Sequence, residues 1–281
     1  MNEIKLIVTD LDGTYLQSYH ELNRENIKAV AAAQAAGIMV CPVTARNFDC
    51  ARYAITESNF DAYCVTNNGA AIIDRRTEEH VFYNFLQPEA VRAIVSAAAE
   101  ANAEIDIFTN QYVATYGPTQ LKNMDERLKP WLEKPEHLRR HEHRYQDLEA
   151  LISENCNIAE NITLHGHERE EMPGWLYRRI IEQGEFYLTS SHHMCIDIMA
   201  YGSTKIEGVQ RLAAILGIDR KNIMAFGDNS NDIGMIRWAG VGVAMGNARD
   251  FVKAAADIVA APNTEAGFAQ EVYKLIESQS K

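Results

Sequence analysis

Ile4-Lys5-Leu6-Ile7-Val8-Thr9-Asp10-Leu11-Asp12-Gly13-Thr14 is the stretch on which the reading of the fold turns. Ile4 to Thr9 is short, largely apolar and rich in β-branched residues, and it ends abruptly in an acid. Such a run predicts a strand buried inside a sheet. In an extended segment alternate side chains point the same way, so Asp10 and Asp12 can face one side. Two carboxylates this close repel unless a cation joins them or one keeps a proton. One could then attack while the other moves a proton, and Gly13 lets the chain turn sharply. Taken alone, the pentapeptide is read as well by an acidic strand-end turn. It does not fit a calcium loop, because Thr14 and Tyr15 stand where an acidic or amide group and a glycine are needed.

Working outward, Leu22–Ala36 is alanine-rich with apolar residues at helical spacing, closed by Gly37. Ile38–Val43 reads as a second strand ending at Thr44, Phe48–Glu57 as a helix, and Ala62–Thr66 as a third strand running into Asn67-Asn68-Gly69. Strand and helix alternate, the pattern of a parallel sheet with crossover helices. From about Gln87 the character changes to a helix (Pro88–Ala103), paired strands (Glu104–Thr109, Tyr112–Tyr116), a charged stretch, a strand (Asn161–His165), a helix (Pro173–Gln183) and a strand (Glu185–Thr189). The alternation then returns with a helix over Thr204–Leu216, a strand over Asn222–Phe226, a helix over Asn231–Ala239 and a strand over Val241–Ala244, before closing helices. The expected fold class is α/β: a Rossmann-like parallel-sheet core in two parts, residues 1–86 and 191–281, interrupted by an inserted α+β domain at residues 87–190.

Composition sets the outer bounds. The chain has 281 residues, 39 acidic and 27 basic, for a net charge of −12. Such a surface repels nucleic acid and anionic lipid, yet a metal ion or a few lysines can reverse the sign locally for a small anion. The five cysteines are widely spaced with no CxxC, which argues for reduced thiols rather than a disulfide framework or a zinc site. The N-terminus lacks the features of a signal peptide and no run reaches ~18 apolar residues, so the expected address is cytoplasmic.

Three further sites follow expected strand ends or open a helix, and open parallel sheets bind ligands at that edge. Thr44, followed by Ala45 and Arg46, offers a hydroxyl and backbone N–H groups to an anionic oxygen. Lys205 opens a helix, where the dipole disfavours a cation, and that misfit asks for an anionic partner. Gly227-Asp228-Asn229-Ser230-Asn231-Asp232 crowds two carboxylates and two amides into one turn. Asp232 or Ser230 there can simply cap the helix, whereas Asp228 is harder to read that way. Together these describe hard oxygen ligands suited to Mg²⁺, beside a cation and a hydroxyl suited to a phosphoryl group.

These residues resemble the haloacid dehalogenase (HAD) superfamily of phosphohydrolases, and more narrowly its Cof-type sugar-phosphate phosphatases with a large type-2 cap. The resemblance rests on the DxDGT motif at Asp10–Thr14, the strand-terminal Thr44, the lysine Lys205 and the GDxxND motif at Gly227–Asp232, in that order. Asn67-Asn68-Gly69-Ala70 and Val243–Ala248 also look like segments of that subgroup. The chain departs from the family at Ala45, where a glycine is usual. The resemblance implies a Mg²⁺-dependent phosphatase of small phosphomonoesters, sugar phosphates or phosphorylated cofactors, working through an aspartyl-phosphate. It implies that Asp10 is the nucleophile and Asp12 the general acid and base. Mg²⁺ would be held by the Asp10 carboxylate, the Asp12 backbone carbonyl and Asp228, with Asp232 supporting the metal's waters from behind. Thr44, Lys205 and Asn231, with backbone N–H groups near Leu11 and Ala45, would hold the phosphoryl group, and Arg46 would reach the substrate. Residues 87–190 stand where the family carries its cap, which sets specificity.

Two rival readings share the motifs. A phosphomutase would return the phosphoryl to another hydroxyl, and a non-catalytic sensor would only bind a phosphorylated ligand; an assay for isomer or for released phosphate separates them. Several other groups carry weaker readings: His192 and His193 as cleft residues, the basic run Arg139–Arg144 as an attractor of anions, His165 with His167 on one strand face, and Trp131, Trp175 and Trp238 as packing residues. Oligomeric state is not legible.

Overall fold

The computed structural model describes residues 3–18, 21–117, 134–138, 141–165, 173–189 and 195–280. In chain order the first elements are β1 (Leu6–Thr9), a hairpin of β2 (Leu16–Ser18) and β3 (Glu21–Leu22), α1 (Arg24–Ala35), β4 (Met39–Pro42), α2 (Phe48–Glu57), β5 (Tyr63–Thr66), β6 (Ala71–Asp74) and β7 (His80–Tyr83). The middle of the chain forms α3 (Pro88–Glu100), β8 (Glu104–Phe108), β9 (Val113–Tyr116), β10 (Glu142–Arg144), α4 (Leu148–Asn155), β11 (Asn161–His165), α5 (Gly174–Ile181), β12 (Phe186–Thr189) and β13 (Cys195–Ala200). The last part forms α6 (Lys205–Leu216), β14 (Ile223–Gly227), α7 (Ile233–Trp238), β15 (Val241–Ala244), α8 (Asp250–Lys253), β16 (Ile258–Val259) and α9 (Gly267–Gln279).

The chain divides into two compact units. The first comprises Met1–Ala45, Ala54–Val81 and Thr204–Lys281; the second comprises Arg46–Tyr53 and Phe82–Ser203. In the first, a parallel sheet runs β16-β15-β14-β1-β4. Its interior strand β1 is buried at every residue, as its unbroken apolar run requires. Local signals fix the flanking helices. Asn23 caps α1 by accepting the Glu25 N–H, and Thr204 forms a capping box with Glu207 at the start of α6. The third expected core strand differs from its reading. β5 meets the parallel sheet through the single bridge Val43–Val65 and then pairs antiparallel with β6, in a separate β5-β6-β7 sheet. No crossover helix follows β5, so the chain folds straight back on itself and parallel pairing stops there.

In the second unit a mixed sheet runs β10-β9-β8-β11-β13-β12, parallel only between β10 and β9. Period-two alternation sends Ile105, Ile107, Ile162, Leu164 and Ile198 into one apolar core with Val91, Ile94 and Val95 of α3, Leu151 of α4 and Leu176 and Ile180 of α5. The alternate positions Asp106, Thr115, Thr163 and Asp197 are polar and buried. This unit is longer at both ends than residues 87–190. Cys195–Ala200, expected in the second part of the core, is an interior strand of this sheet, hydrogen-bonded between β11 and β12. Among the described residues, no helix is long and apolar enough to cross a membrane.

Candidate functional site

Because β4, β1 and β14 are parallel and in register, their C-terminal ends open on one edge of the first sheet. Thr9 stands opposite both Phe226 and Pro42, so the chain leaves the sheet into Asp10 on β1, toward Thr44 on β4 and into Asp228 on β14. The backbone N–H of Asp10 donates to the Phe226 carbonyl at 3.0 Å, which carries the pairing one residue past the strand.

Lys205 is the first residue of α6 and is 2% exposed. Its Nζ donates to Asp10 Oδ1 at 2.6 Å and to Asp232 Oδ1 at 2.7 Å. The anionic partner that a first-turn lysine asks for is therefore a pair of carboxylates from two strand ends. Asp232 is fully buried, and its other oxygen accepts the N–H groups of Asp228 at 3.0 Å and Asn229 at 2.9 Å. It thus caps its own turn and anchors the lysine together.

Asp228 is fixed from the other side. Thr14 Oγ1 donates to Asp228 Oδ1 at 2.8 Å. Gly13, at φ +77°, lies so close to that carboxylate that a Cβ would collide with it. The Gly13 carbonyl accepts Asn247 Nδ2 at 2.8 Å. The first turn is thereby tied to two later loops. Asn231 Nδ2 donates to Asn68 Oδ1 at 2.9 Å, and the Asn68 N–H donates to the Thr44 carbonyl at 3.0 Å. Thr44 is buried, with its N–H donating to Val65.

The electrostatics are those of too much negative charge in one place. Burial pushes the Asp10 carboxyl well up; Lys205 opposes this, and the charges of Asp232, Asp228 and Asp12 add to the rise. Asp228 is pushed up to about 6 by burial and Asp232, against the hydrogen bond from Thr14, the charge of Lys205 and a hydrogen bond with Asp10. Burial alone would lower the Lys205 pKa, but the two carboxylates more than reverse it, so the ammonium stays charged. Asp10, Asp228 and Asp232 each offer an oxygen within 4.8 Å of the others. The Asp232 oxygens already serve Lys205 and two backbone amides, which leaves Asp10 and Asp228 as the pair that faces a shared proton or a cation. That donor chemistry, all hard oxygen, fits a small divalent ion.

The remaining expected residues fall as follows. Leu11 is fully buried at the start of the turn, and Asp12 is half-buried. Ala45 ends the first unit's first segment. Arg46 is counted with the second unit, where its guanidinium donates to the Cys50 carbonyl at 3.3 Å. His165 is taken up by Asp106, Nε2 to Oδ2 2.9 Å. Within the basic run, His141 bonds Asp49 at 2.7 Å and His143 stacks on Tyr112. His192, His193, Arg139, Arg140, His167 and Trp131 lie outside the described residues. Cys41, Cys50, Cys64 and Cys156 are buried and outside any disulfide. The sequence reading gave no role to Thr14, Asn68 or Asn247. All three lie in segments it quoted, but their partners are 163 to 234 positions away.

A family model described as haloacid dehalogenase-like hydrolase matches residues 7–272. The chain is 28% identical over 271 residues to the 5-amino-6-(5-phospho-D-ribitylamino)uracil phosphatase YcsE of Bacillus subtilis, spanning 96% of this chain and 95% of that one. It is 26% identical over 276 residues to the pyridoxal phosphate phosphatase YbhA of Escherichia coli, spanning 96% and 97%. A solved haloacid dehalogenase-like hydrolase from B. subtilis aligns with a TM-score of 0.79 at 27% identity, over 96% of this chain and 99% of that one.

Proposed function

The chain belongs to the haloacid dehalogenase-like hydrolases and is a phosphatase, and from that premise we propose that it hydrolyses small phosphomonoesters through an aspartyl-phosphate on Asp10, with Mg²⁺ as cofactor. The observation that carries this is the buried Asp10 carboxylate, held by Lys205 at 2.6 Å at the sheet edge. A carboxylate meeting an anionic phosphoryl group needs its approach screened, and the Lys205 ammonium supplies one positive charge there. Mg²⁺, held by Asp10, Asp228 and the Asp12 backbone carbonyl, would supply further charge neutralisation.

The chain's own groups divide the work. One Asp10 oxygen attacks phosphorus, and the bond from phosphorus to the substrate's alkoxide oxygen breaks. Asp12 gives its proton to that oxygen, so the alcohol leaves neutral. Asp12, now a carboxylate, takes a proton from water as the water attacks phosphorus. The bond from phosphorus to Asp10 then breaks, inorganic phosphate leaves and both aspartates return to their starting states. Thr44, Asn231 and Lys205, with the backbone N–H groups of Leu11 and Ala45, hold the phosphoryl oxygens. Asp232 holds Lys205 and the Asp228 backbone in place. Substrate selection falls to the second unit, Arg46–Tyr53 and Phe82–Ser203, with Arg46 as its substrate-binding residue.

The substrate class is that of the relatives: YcsE is named for a phosphorylated ribityl compound and YbhA for a phosphorylated cofactor. The net charge of −12 and the buried thiols suit a small-metabolite enzyme of the cytoplasm. The test is phosphate release from a panel of phosphomonoesters with Mg²⁺, with Ca²⁺ and with chelator, joined to mass spectrometry of the Asp10 peptide. Mg²⁺-dependent release with a phosphoryl mass increment on Asp10 is expected. Equal rates with Ca²⁺, or an increment elsewhere, overturns the reading.

A further inference from the structure

Three consecutive residues after β5 stand in the left-handed region: Asn67 at φ +46°, Asn68 at +53° and Gly69 at +97°. Glycine adopts it freely and asparagine tolerates it, but normally as single residues. Backbone of this kind persists where its surroundings over-determine it, and it gathers at functional sites. Here the surroundings are the motifs themselves. The Asn68 N–H donates to the carbonyl of Thr44, from the second motif. The Thr204 carbonyl and the Gly208 amide press on Gly69 so closely that no Cβ fits, which seats the turn against the helix carrying Lys205. Asn231, from the fourth motif, donates its Nδ2 to Asn68 Oδ1 at 2.9 Å.

We propose that Asn68 is a positioning residue for phosphoryl binding, fixing which end of the Asn231 amide is turned to the phosphoryl group while it braces Thr44 through its own N–H. This rests on the reading above, in which Asn231 and Thr44 hold that group. A primary amide has two branches of nearly equal shape, one a double donor and the other an acceptor. An anionic phosphoryl oxygen is stabilised by the first and repelled by the second. Asn68 Oδ1 accepts one hydrogen of Asn231 Nδ2 and leaves the second for a phosphoryl oxygen. The flipped amide would set oxygen against oxygen. Among the described residues Asn231 Oδ1 is buried with no hydrogen-bond partner, so the bond from Nδ2 to Asn68 is what holds the amide in this orientation.

The test compares the wild-type chain with Asn68→Gly, Asn231→Ala and the double variant, using p-nitrophenyl phosphate turnover, inhibition by inorganic phosphate and the thermal midpoint. Asn68→Gly keeps the left-handed backbone and the N–H to Thr44 and removes only the side chain. KM and the phosphate inhibition constant are expected to rise about tenfold, the loss of one neutral hydrogen bond, in a folded variant. In the Asn231→Ala background the same substitution should add nothing, because its partner is gone. An unchanged inhibition constant in Asn68→Gly, or losses that multiply in the double variant, overturns the proposal. A readout that needs no variant is the Asn231 side-chain NH₂ resonance of the wild-type chain. It should shift on addition of inorganic phosphate, and a resonance that stays put while phosphate binds overturns the proposal equally. Wild-type protein that neither hydrolyses p-nitrophenyl phosphate nor binds phosphate defeats the phosphatase reading first, and this inference with it.

Discussion

The Lys205 ammonium lies 2.6 Å from the Asp10 carboxylate, across 195 positions of sequence, and both groups are buried. The pair joins the start of α6 to the end of β1, and Asp232 makes it a triad. Lys205→Met leaves two buried carboxylates without their counter-charge. Removing one partner of a buried pair costs about 3–5 kcal/mol. We expect a loss of that order at pH 7 in urea unfolding, together with loss of phosphate release. Near-native stability would mean that the carboxylates are satisfied without the lysine.

Asp12→Asn separates folding from chemistry. The half-buried side chain is replaced by one of nearly equal volume, so the thermal midpoint should stay close to wild type. Turnover should fall by about 10²–10⁴, the usual worth of a general acid and base. Steady-state phosphate release with a sugar phosphate, whose alkoxide leaves poorly, is the measurement. A variant at wild-type rate removes Asp12 from its assigned role.

The raised carboxylates give a pH dependence of definite sign. Asp228 is pushed up to about 6 by burial and Asp232, and Asp10 is raised as well, while unfolded aspartates titrate near 3.9. Between these values the folded chain binds more protons than the unfolded one. The share of metal-free stability that these two groups supply is therefore full at the acid end and is lost as pH rises, for Asp228 through about 6. A divalent cation takes the place of the proton, so Mg²⁺ should raise the thermal midpoint more at pH 7 than at pH 4.5. Scans of chelator-treated and Mg²⁺-supplemented protein at both pH values check it; an equal rise at both counts against the shared site.

Thr14→Val tests the grip on Asp228. It removes the hydroxyl that donates to Oδ1 at 2.8 Å and keeps the shape. Groups that orient a metal-binding carboxylate are worth about 10- to 100-fold in metal affinity or activity. The Mg²⁺ concentration for half-maximal turnover should rise by that order, with turnover at saturating Mg²⁺ much less affected. No change in the Mg²⁺ requirement would place the ion away from Asp228.

Much of the core was legible because its signals are local. Asp10, Thr44 and Asp228 each follow a short apolar run, and Asn23 and Thr204 announce their helices within three residues. What stayed hidden depends on pairing at a distance. Cys195–Ala200 is apolar except at Asp197 and so reads as a strand, but nothing local says which sheet it joins. The allegiance of Arg46–Tyr53 to the second unit is likewise invisible in a helix that reads as continuous. Nor does the Asn67-Asn68-Gly69 turn disclose its acceptor role, since Asn231 is 163 positions away.

The pairing of β1 bears on how the chain is made. Leu6 to Thr9 lie between β4, close behind in sequence, and β14, whose Ile223 pairs with Leu6. At roughly 5–20 residues per second, a ribosome needs about 10–40 s to deliver that second neighbour. For that interval the nascent strand that leads into Asp10 keeps one edge of backbone N–H and C=O groups unpaired, the condition under which strands pair with the wrong chain. The same arrangement guards against premature chemistry. A growing polypeptide with Asp10 and Asp12 already outside the tunnel holds neither Lys205 nor Asp228 and Asp232, and cannot assemble the centre until those residues have been made.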